Sequence, residues 1–362
     1  MRHGLKRAGL VLALFAAGVA LAQAPGPLRR IGEFRISTGL HINGIEFGGI
    51  SGLERDPASG RYLALSDDRA ETGPVRLYEI DLGIDARGIA KFEVLRTVEL
   101  TDEQGNAFPR DAVDPEAIRL APNGNLVWSS ERDRQGRPAI FEADRQGRAL
   151  RRFALPDYYM PDAGKTRGVV SNLGHEGLAF SPDGQLVYAL LENALAQDGP
   201  VANREEGSLA RLLVLDFASG QPVAEYAYRT EPVRLASARN PPVEENGVSE
   251  ILMMPDGGLI VVERTFALGA GNMIHLFRVR PESGTNVLGR ASLKEGEPVI
   301  PLAKESLLTL REGDFGLDLD NIEALALGPM LDGRQTLVFA SDNNFNRNGQ
   351  VTQFIVFALE PR

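Results

Sequence analysis

Cysteine is absent from the 362 residues, which removes thiol catalysis, disulfides, iron–sulfur clusters and thiolate zinc sites together. Tryptophan occurs once and histidine four times. Beyond the N-terminal segment described below only His41, His175 and His275 remain, so an all-imidazole metal cage would have to use every one of them. Positive charge is in deficit. The formal net charge is −10, and more negative once the basic first segment is set aside, so there is no general attraction for phosphate backbones and nucleic acid is not the expected partner. No apolar run reaches the ~20 residues of a membrane-spanning helix. With 43% hydrophobic and 24% charged residues the composition is globular. Oxygen ligands remain for chemistry.

The first segment reads as an address. Arg2, Lys6 and Arg7 make a short basic start, Ala8 to Ala20 is an apolar run, and Ala20-Leu21-Ala22 is a small-x-small cleavage signal. That layout is a secretory signal peptide. Residues 1–22 are therefore expected to be a leader and 23–362 a single domain working in the periplasm or outside the cell.

The remainder is repetitive. Five segments open with a short polar or acidic residue, usually followed by Gly or Ala and then Leu or Ile, with a proline six places on: Ser51/Pro57, Glu116/Pro122, Glu176/Pro182, Ser249/Pro255 and Glu323/Pro329. A glycine follows each proline (Gly60, Gly124, Gly184, Gly257, Gly333), which is turn chemistry. A strand-like run comes next, and then an acid: Asp67, Glu131, Glu192, Glu263, Asp342. Two further strand-like runs fill each interval. Four short strands per unit, repeated, predict an all-β chain, a β-propeller of four-stranded blades. Five repeats are counted, with a sixth blade left open in the irregular stretch 281–320. The last unit stops after Thr352–Leu359, so Leu28–Ile36 is expected to supply its missing strand and close the ring. A two-sheet sandwich is the runner-up; no sustained helical period favours an α/β fold.

Alternating strand direction sorts the loops onto two rims. Short Pro-Gly turns fall on one. The other takes Thr101–Asp114, Pro156–His175, Asn193–Gly207, Pro232–Gly247 and much of 281–320, and loops that long are usually functional. Both acidic series fall on that rim, which places Glu116, Glu176 and Glu323 around one channel mouth with Asp67, Glu131, Glu192, Glu263 and Asp342 close behind. Two carboxylates 4 Å apart cost about 4 kcal/mol at an effective dielectric near 20, so something must offset them. Ca²⁺ suits Asp, Glu, Asn and carbonyl oxygens, and Asn193, Asn321, Asn343 and Asn344 sit beside rim acids. Arg69, Arg132 and Arg264, each just after a post-turn acid, could instead pair with them. The candidate metal ligands are Glu116, Glu176, Glu323, Asp67, Glu131, Glu192, Asn321 and Asp342. Glu176 and His175 are the candidate acid or base. Lys165 and Arg167 join Arg69, Arg132 and Arg264 as candidate contacts to an anionic substrate, and Tyr158, Tyr159 and Met160 could wall a pocket. Gly269-Ala-Gly271 lacks the third glycine of a dinucleotide site, and Ser51 has the wrong glycine spacing for a nucleophile elbow.

Phe47-Gly-Gly-Ile-Ser-Gly-Leu53, Ser66-Asp-Asp-Arg69, Asp114-Pro-Glu-Ala-Ile118, Gly174-His-Glu-Gly-Leu178, Glu245-Asn-Gly-Val-Ser249, Asp320-Asn-Ile-Glu-Ala324 and Ser341-Asp-Asn-Asn344 resemble the secreted phytase-like propeller family, known as "esterase-like activity of phytase". The resemblance implies hydrolysis of a phosphate or carboxylic ester with Ca²⁺ assistance. Those phytases set several Lys and Arg against phosphates, and no compact basic cluster is evident from this sequence. The expectation is a metal-assisted ester or phosphoester hydrolase acting on a small anionic or ester substrate. A non-catalytic ligand- or protein-binding propeller and a lactonase-like propeller enzyme are the alternatives.

Overall fold

The structure, a computed structural model, describes residues 25–361; the expected leader lies outside them. Five four-stranded antiparallel sheets account for nearly all the strands. Blade 1 is built from Ile50–Arg55, Tyr62–Ser66, Arg76–Asp85 and Gly88–Glu99, and blade 2 from Pro115–Leu120, Leu126–Ser130, Ala139–Ala143 and Ala149–Arg152. Blade 3 takes His175–Phe180, Leu186–Leu191, Leu209–Asp216 and Pro222–Arg229; blade 4 takes Glu244–Met253, Leu259–Ala267, Gly271–Val279 and Lys304–Arg311. Blade 5 takes Asn321–Leu327, Thr336–Asp342 and Val351–Pro361, with Pro25–Ser37 as its outermost strand. The inner strands neighbour one another in sequence order, and that of blade 5 packs beside that of blade 1. The result is a closed five-bladed β-propeller.

The stretch 281–320 holds no sixth blade. Residues 280–303 join the third and fourth strands of blade 4, so they leave from the rim opposite the acids, a correction to their expected place. They then run along the outer strand of blade 3, where Val287 N donates to Glu225 O and Leu302 N to Ala227 O, both at 2.8 Å. Covering that strand removes an open edge. Only 312–320, leading into blade 5, belongs to the acidic rim.

The core lies between blades. One cluster joins blades 5 and 1 through Phe47, Leu53, Tyr78, Val338 and Phe354, and another joins blades 1 and 2 through Leu65, Ile118, Trp128 and Phe141. The second strands are therefore buried on both faces, as in Leu126–Ser130, where every residue is buried. This is why they read as continuous apolar runs rather than as an alternation.

All five inner strands carry a bulge at the same place. The register slips between Ile50 and Gly52, Pro115 and Ile118, His175 and Gly177, Val248 and Glu250, and Ile322 and Ala324. The residues inside these slips include the five repeat openers Ser51, Glu116, Glu176, Ser249 and Glu323. A bulged residue is left out of the ladder and its side chain is re-aimed.

Ring closure depends on the outermost strand of blade 5, which pairs with Val351–Pro361 along most of its length. Its Leu28 and Ile36 are buried and Phe34 stacks on Phe92 of blade 1 at 5.7 Å. Each fully buried side chain of this kind contributes about 1.5–3 kcal/mol. A chain starting at Gly39 is therefore expected to melt about 10 °C or more below one starting at Gln23. Equal melting midpoints by calorimetry would mean that this strand is dispensable.

Candidate functional site

Two rings of side chains surround one end of the channel. The bulged residues supply the first. Residues following the second strands supply the other, and the register identifies them: the residue before each opener pairs with Ser66, Ser130, Leu191, Glu263 and Ser341. The next residues along are Asp67, Glu131, Glu192, Arg264 and Asp342. Blade 4 thus presents Arg264 where the other four blades present an acid. Glu263, expected at the mouth, lies one position early. On a strand that step reverses the face, so Glu263 points away and accepts from Tyr228 Oη at 2.6 Å and Lys304 Nζ at 2.9 Å.

Glu116, Glu176, Glu323, Asp67, Glu192, Asp342, Arg69 and Arg264 line a single pocket of about 220 Å³, together with Asp114 and Ser249. Glu131 sits behind it, buried. Oxygens of Asp114, Glu116 and Glu131 lie within 4.8 Å of one another, as do those of Glu131, Glu176 and Glu192. Small residues make the room. A Cβ on Gly49 would lie 2.1 Å from Asp67 Oδ1, and one on Gly247 would lie 2.4 Å from Glu192 Oε1.

Burial, and then mutual repulsion, sets the charge state. Enclosure pushes Glu116 and Glu176 well above the usual carboxylate range, and each is raised further by its neighbours, Glu176 first for Glu116 and Glu131 first for Glu176. Glu192 and Asp342 are raised well above it for the same reason. Asp67 rises to about 8 through burial and the charge of Glu323. Glu131 rises to about 7 through burial and the charge of Asp114, although it accepts from Gly174 N at 2.8 Å. Asn321 donates to Glu323 at 2.8 Å and to Asp342 at 3.3 Å, so it ties two acids together. Arg264 lies 3.1 Å from Glu245 and 3.6 Å from Glu323.

Beside this pocket lies a basic cleft of about 740 Å³, sharing Arg69 and Asp114 with it. Arg132, Arg134, Lys165 and Arg167 also line it, and outnumber Asp111, Asp133 and Asp162 by a small margin. Arg132 Nε donates to Asp114 at 2.9 Å and its Nη2 to Asn172 at 3.1 Å. Arg134 donates to the Arg110 carbonyl. Lys165 and Arg167 are exposed on a turn that Asp162 shapes by accepting from Thr166 N at 2.7 Å. The cluster draws on the middle loops of blades 1 and 2 and on the loop before blade 3, so its members are scattered in sequence. Asp114 is also a site residue that sequence reasoning passed over. Its signal was its place two residues before an opener, on the rim side of the bulge.

Other candidates lie elsewhere. His175 is fully buried, stacks on Tyr159 at 5.4 Å, and lines neither cavity. Burial alone holds its pKa down at about 3, and its neighbour Glu176, rather than His175, occupies the bulge at the mouth. Tyr158 and Tyr159 do not wall the pocket, because both hydroxyls donate to Glu225, at 3.0 and 2.6 Å. His41 is exposed on the short hairpin before blade 1, and His275 faces Thr309 within blade 4. Asn343 Oδ1 accepts from Gly49 N at 3.0 Å and Asn193 Oδ1 from Ala202 N at 3.0 Å, which are loop-holding roles.

Acids with raised pKa values bind protons more tightly in the folded than in the unfolded chain. Their contribution to stability is therefore full below the ordinary carboxylate range and is lost as pH climbs toward 7 to 8, where Glu131 and Asp67 ionise. In the presence of a chelator, the melting midpoint is expected to fall between about pH 5 and about pH 8, and Asp67→Asn with Glu131→Gln should flatten that slope. A midpoint indifferent to pH in the parent chain would contradict the crowding described here.

Comparison with known proteins sets this ring among relatives. An "Uncharacterized secreted protein" of Arthroderma benhamiae is 28% identical over 188 residues, 43% of this chain and 35% of that protein's length. The solved structure titled "Structure of U3-55K" covers 92% of the chain at 11% identity with a TM-score of 0.39. A luciferin-regenerating enzyme covers 85% at 11% identity with a TM-score of 0.38. Likenesses that loose carry no chemistry. The model of the phytase-like family, described as "esterase-like activity of phytase", matches residues 45–345, from the hairpin before blade 1 to the loop after the second strand of blade 5, and the chain belongs to that family.

Proposed function

We propose that this propeller is an exported, metal-assisted hydrolase of phosphate or carboxylic esters. The reading is carried by one juxtaposition: an acid pocket suited to a cation and a basic cleft suited to an anion meet at Arg69 and Asp114. Export is supported by the leader-like first segment and by the secreted relative. Among the described residues no helix is long and apolar enough to cross a membrane.

The donor set fits a hard cation. The pocket offers carboxylate, amide and hydroxyl oxygen and no imidazole, and Asp67 Oδ1 and Ser249 Oγ are buried there without partners. Asp114, Glu116 and Glu131 would hold Ca²⁺, with Glu192, Glu323, Asp342, Asp67 and Asn321 around them. When bound, the ion supplies polarisation of the ester oxygen and acidification of a coordinated water. Arg69 and Arg132 orient the anionic group, and Lys165 and Arg167 extend its reach. Glu176, raised well above the usual carboxylate range by burial and by the charge of Glu131, is the proton-handling residue. In the reaction the oxygen of water bonds to phosphorus or to the acyl carbon, the bond to the alcohol oxygen breaks, and one proton passes from water through Glu176 to the departing alcohol.

Calcium titration by calorimetry is expected to show binding that Glu116→Gln weakens at least tenfold. Assays on p-nitrophenyl phosphate, p-nitrophenyl acetate and a lactone then identify the ester class. Arg132→Ala should raise KM for the phosphate ester by about tenfold to a hundredfold, the worth of a charge-assisted hydrogen bond. Calcium binding without turnover of any ester would favour a non-catalytic binding propeller, and calcium affinity unchanged in Glu116→Gln would remove the site.

A further inference from the structure

The acid pocket opens on two sides. Opposite the basic cleft, across Arg264, Glu323 and Asn344, it runs into a cavity of about 770 Å³ between blades 4 and 5. The three cavities form one trough across the channel mouth, and Asn172 spans it, lining the acid pocket and the cavity between blades 4 and 5 while accepting from Arg132 of the basic cleft.

The two arms differ in charge. The basic arm presents Arg69, Arg132, Arg134, Lys165 and Arg167 against Asp111, Asp114, Asp133 and Asp162, a small basic excess. In the other arm Glu245, Glu312, Asp318, Asp320 and Glu323 outnumber Arg35 and Arg264. A second phosphate placed there would meet an excess of carboxylates, so the arm rejects anions. Nor is it built for a cation, because the carboxylates it does not share with the acid pocket are already engaged. Asp318 lies 3.2 Å from Arg35, Glu312 accepts from Asn272 N and Leu319 N, and Asp320 accepts from Val351 N at 2.6 Å. What it offers is neutral hydrogen bonding beside the ring of Phe266: the Asn344 side-chain amide, and the second amide hydrogens of Asn272, Asn346 and Gln350, whose first ones go to Leu319 O, Gln350 and Asp320. Asn272 Oδ1 is buried without a partner, which leaves a polar atom that a ligand hydroxyl would satisfy.

We infer that this arm takes a neutral, hydroxyl-rich group, a sugar or comparable polyol, as the uncharged half of an ester whose anionic half lies in the basic cleft. The inference rests on the hydrolase reading for the ester, but the arm's binding chemistry stands by itself. Apolar faces of a sugar ring would lie against Phe266 while the amides fix its hydroxyls. The preferred substrate carries one anionic group at one end, and a second phosphate on the sugar is a handicap.

Saturation-transfer NMR of the calcium-loaded chain with maltose and cellobiose tests the arm directly. At least one sugar is expected to bind. Phe266→Ala should weaken it at least tenfold and Phe266→Tyr should retain it, while inorganic phosphate, followed by calorimetry, binds at the same time without displacing it. Kinetics supply the second arm of the test: kcat/KM for glucose 1-phosphate should exceed that for glucose 1,6-bisphosphate at least tenfold. Absence of sugar binding, binding indifferent to Phe266→Ala, displacement by phosphate, or preference for the bisphosphate would each overturn the inference. Sugar binding with no ester turned over would instead remove the hydrolase reading and leave the neutral arm standing.

Discussion

One extra residue in each inner strand governs this molecule. A regular strand would have kept Glu116, Glu176 and Glu323 in the ladder, where side chains alternate between the packed faces of neighbouring blades. The bulge removes them from that alternation and turns them toward the axis. Because the five blades share the device, five unconnected stretches of chain deliver their side chains to the same opening. The residues just past each second strand then fall into a second ring without further provision, since the antiparallel register is already set.

That convergence has an energetic cost, which the structure manages in graded ways. Glycines at 49 and 247 leave space for acids that a methyl group would displace. Asn321 bridges two carboxyls, Arg264 stands in for the fifth acid, and Arg132 and Arg69 lower the burden on Asp114. Even so, burial and mutual charge leave most of the cluster raised well out of the ordinary carboxylate range. A pocket that holds protons against water is one that a hard cation relieves. Stability and function pull against each other here, as they do wherever charge is concentrated for use.

The trough gives the mouth a direction. Its acid centre has a basic flank rooted in blades 1 to 3 and an amide-rich, carboxylate-rimmed flank rooted in blades 4 and 5. Such polarity cannot arise from the repeat, which treats all blades alike. It arises from the loops that enter each blade and from those joining its second and third strands, which differ in length and composition and are free to do so because the closed ring carries the core.

Much of this was legible in the residues. The spacing of opener, proline and glycine recurs because every blade must turn at the same point, so five repeats and the incomplete fifth unit could be read directly, as could the convergence of Glu116, Glu176 and Glu323. A sixth blade in 281–320 was excluded only by the folded chain. Only the folded register could exchange Glu263 for Arg264, since a one-residue shift reverses a strand face and the spacing of acids is blind to it. Burial of His175 against Tyr159 depends on which side of the bulge a residue lies, and gathering Arg132, Arg134, Lys165 and Arg167 depends on loop paths that no local pattern encodes. Local chemistry sufficed wherever the constraint was a turn, a strand or a repeat. Tertiary structure decided wherever two side chains far apart in the chain had to share one volume, because their proximity is a property of packing and not of order along the backbone.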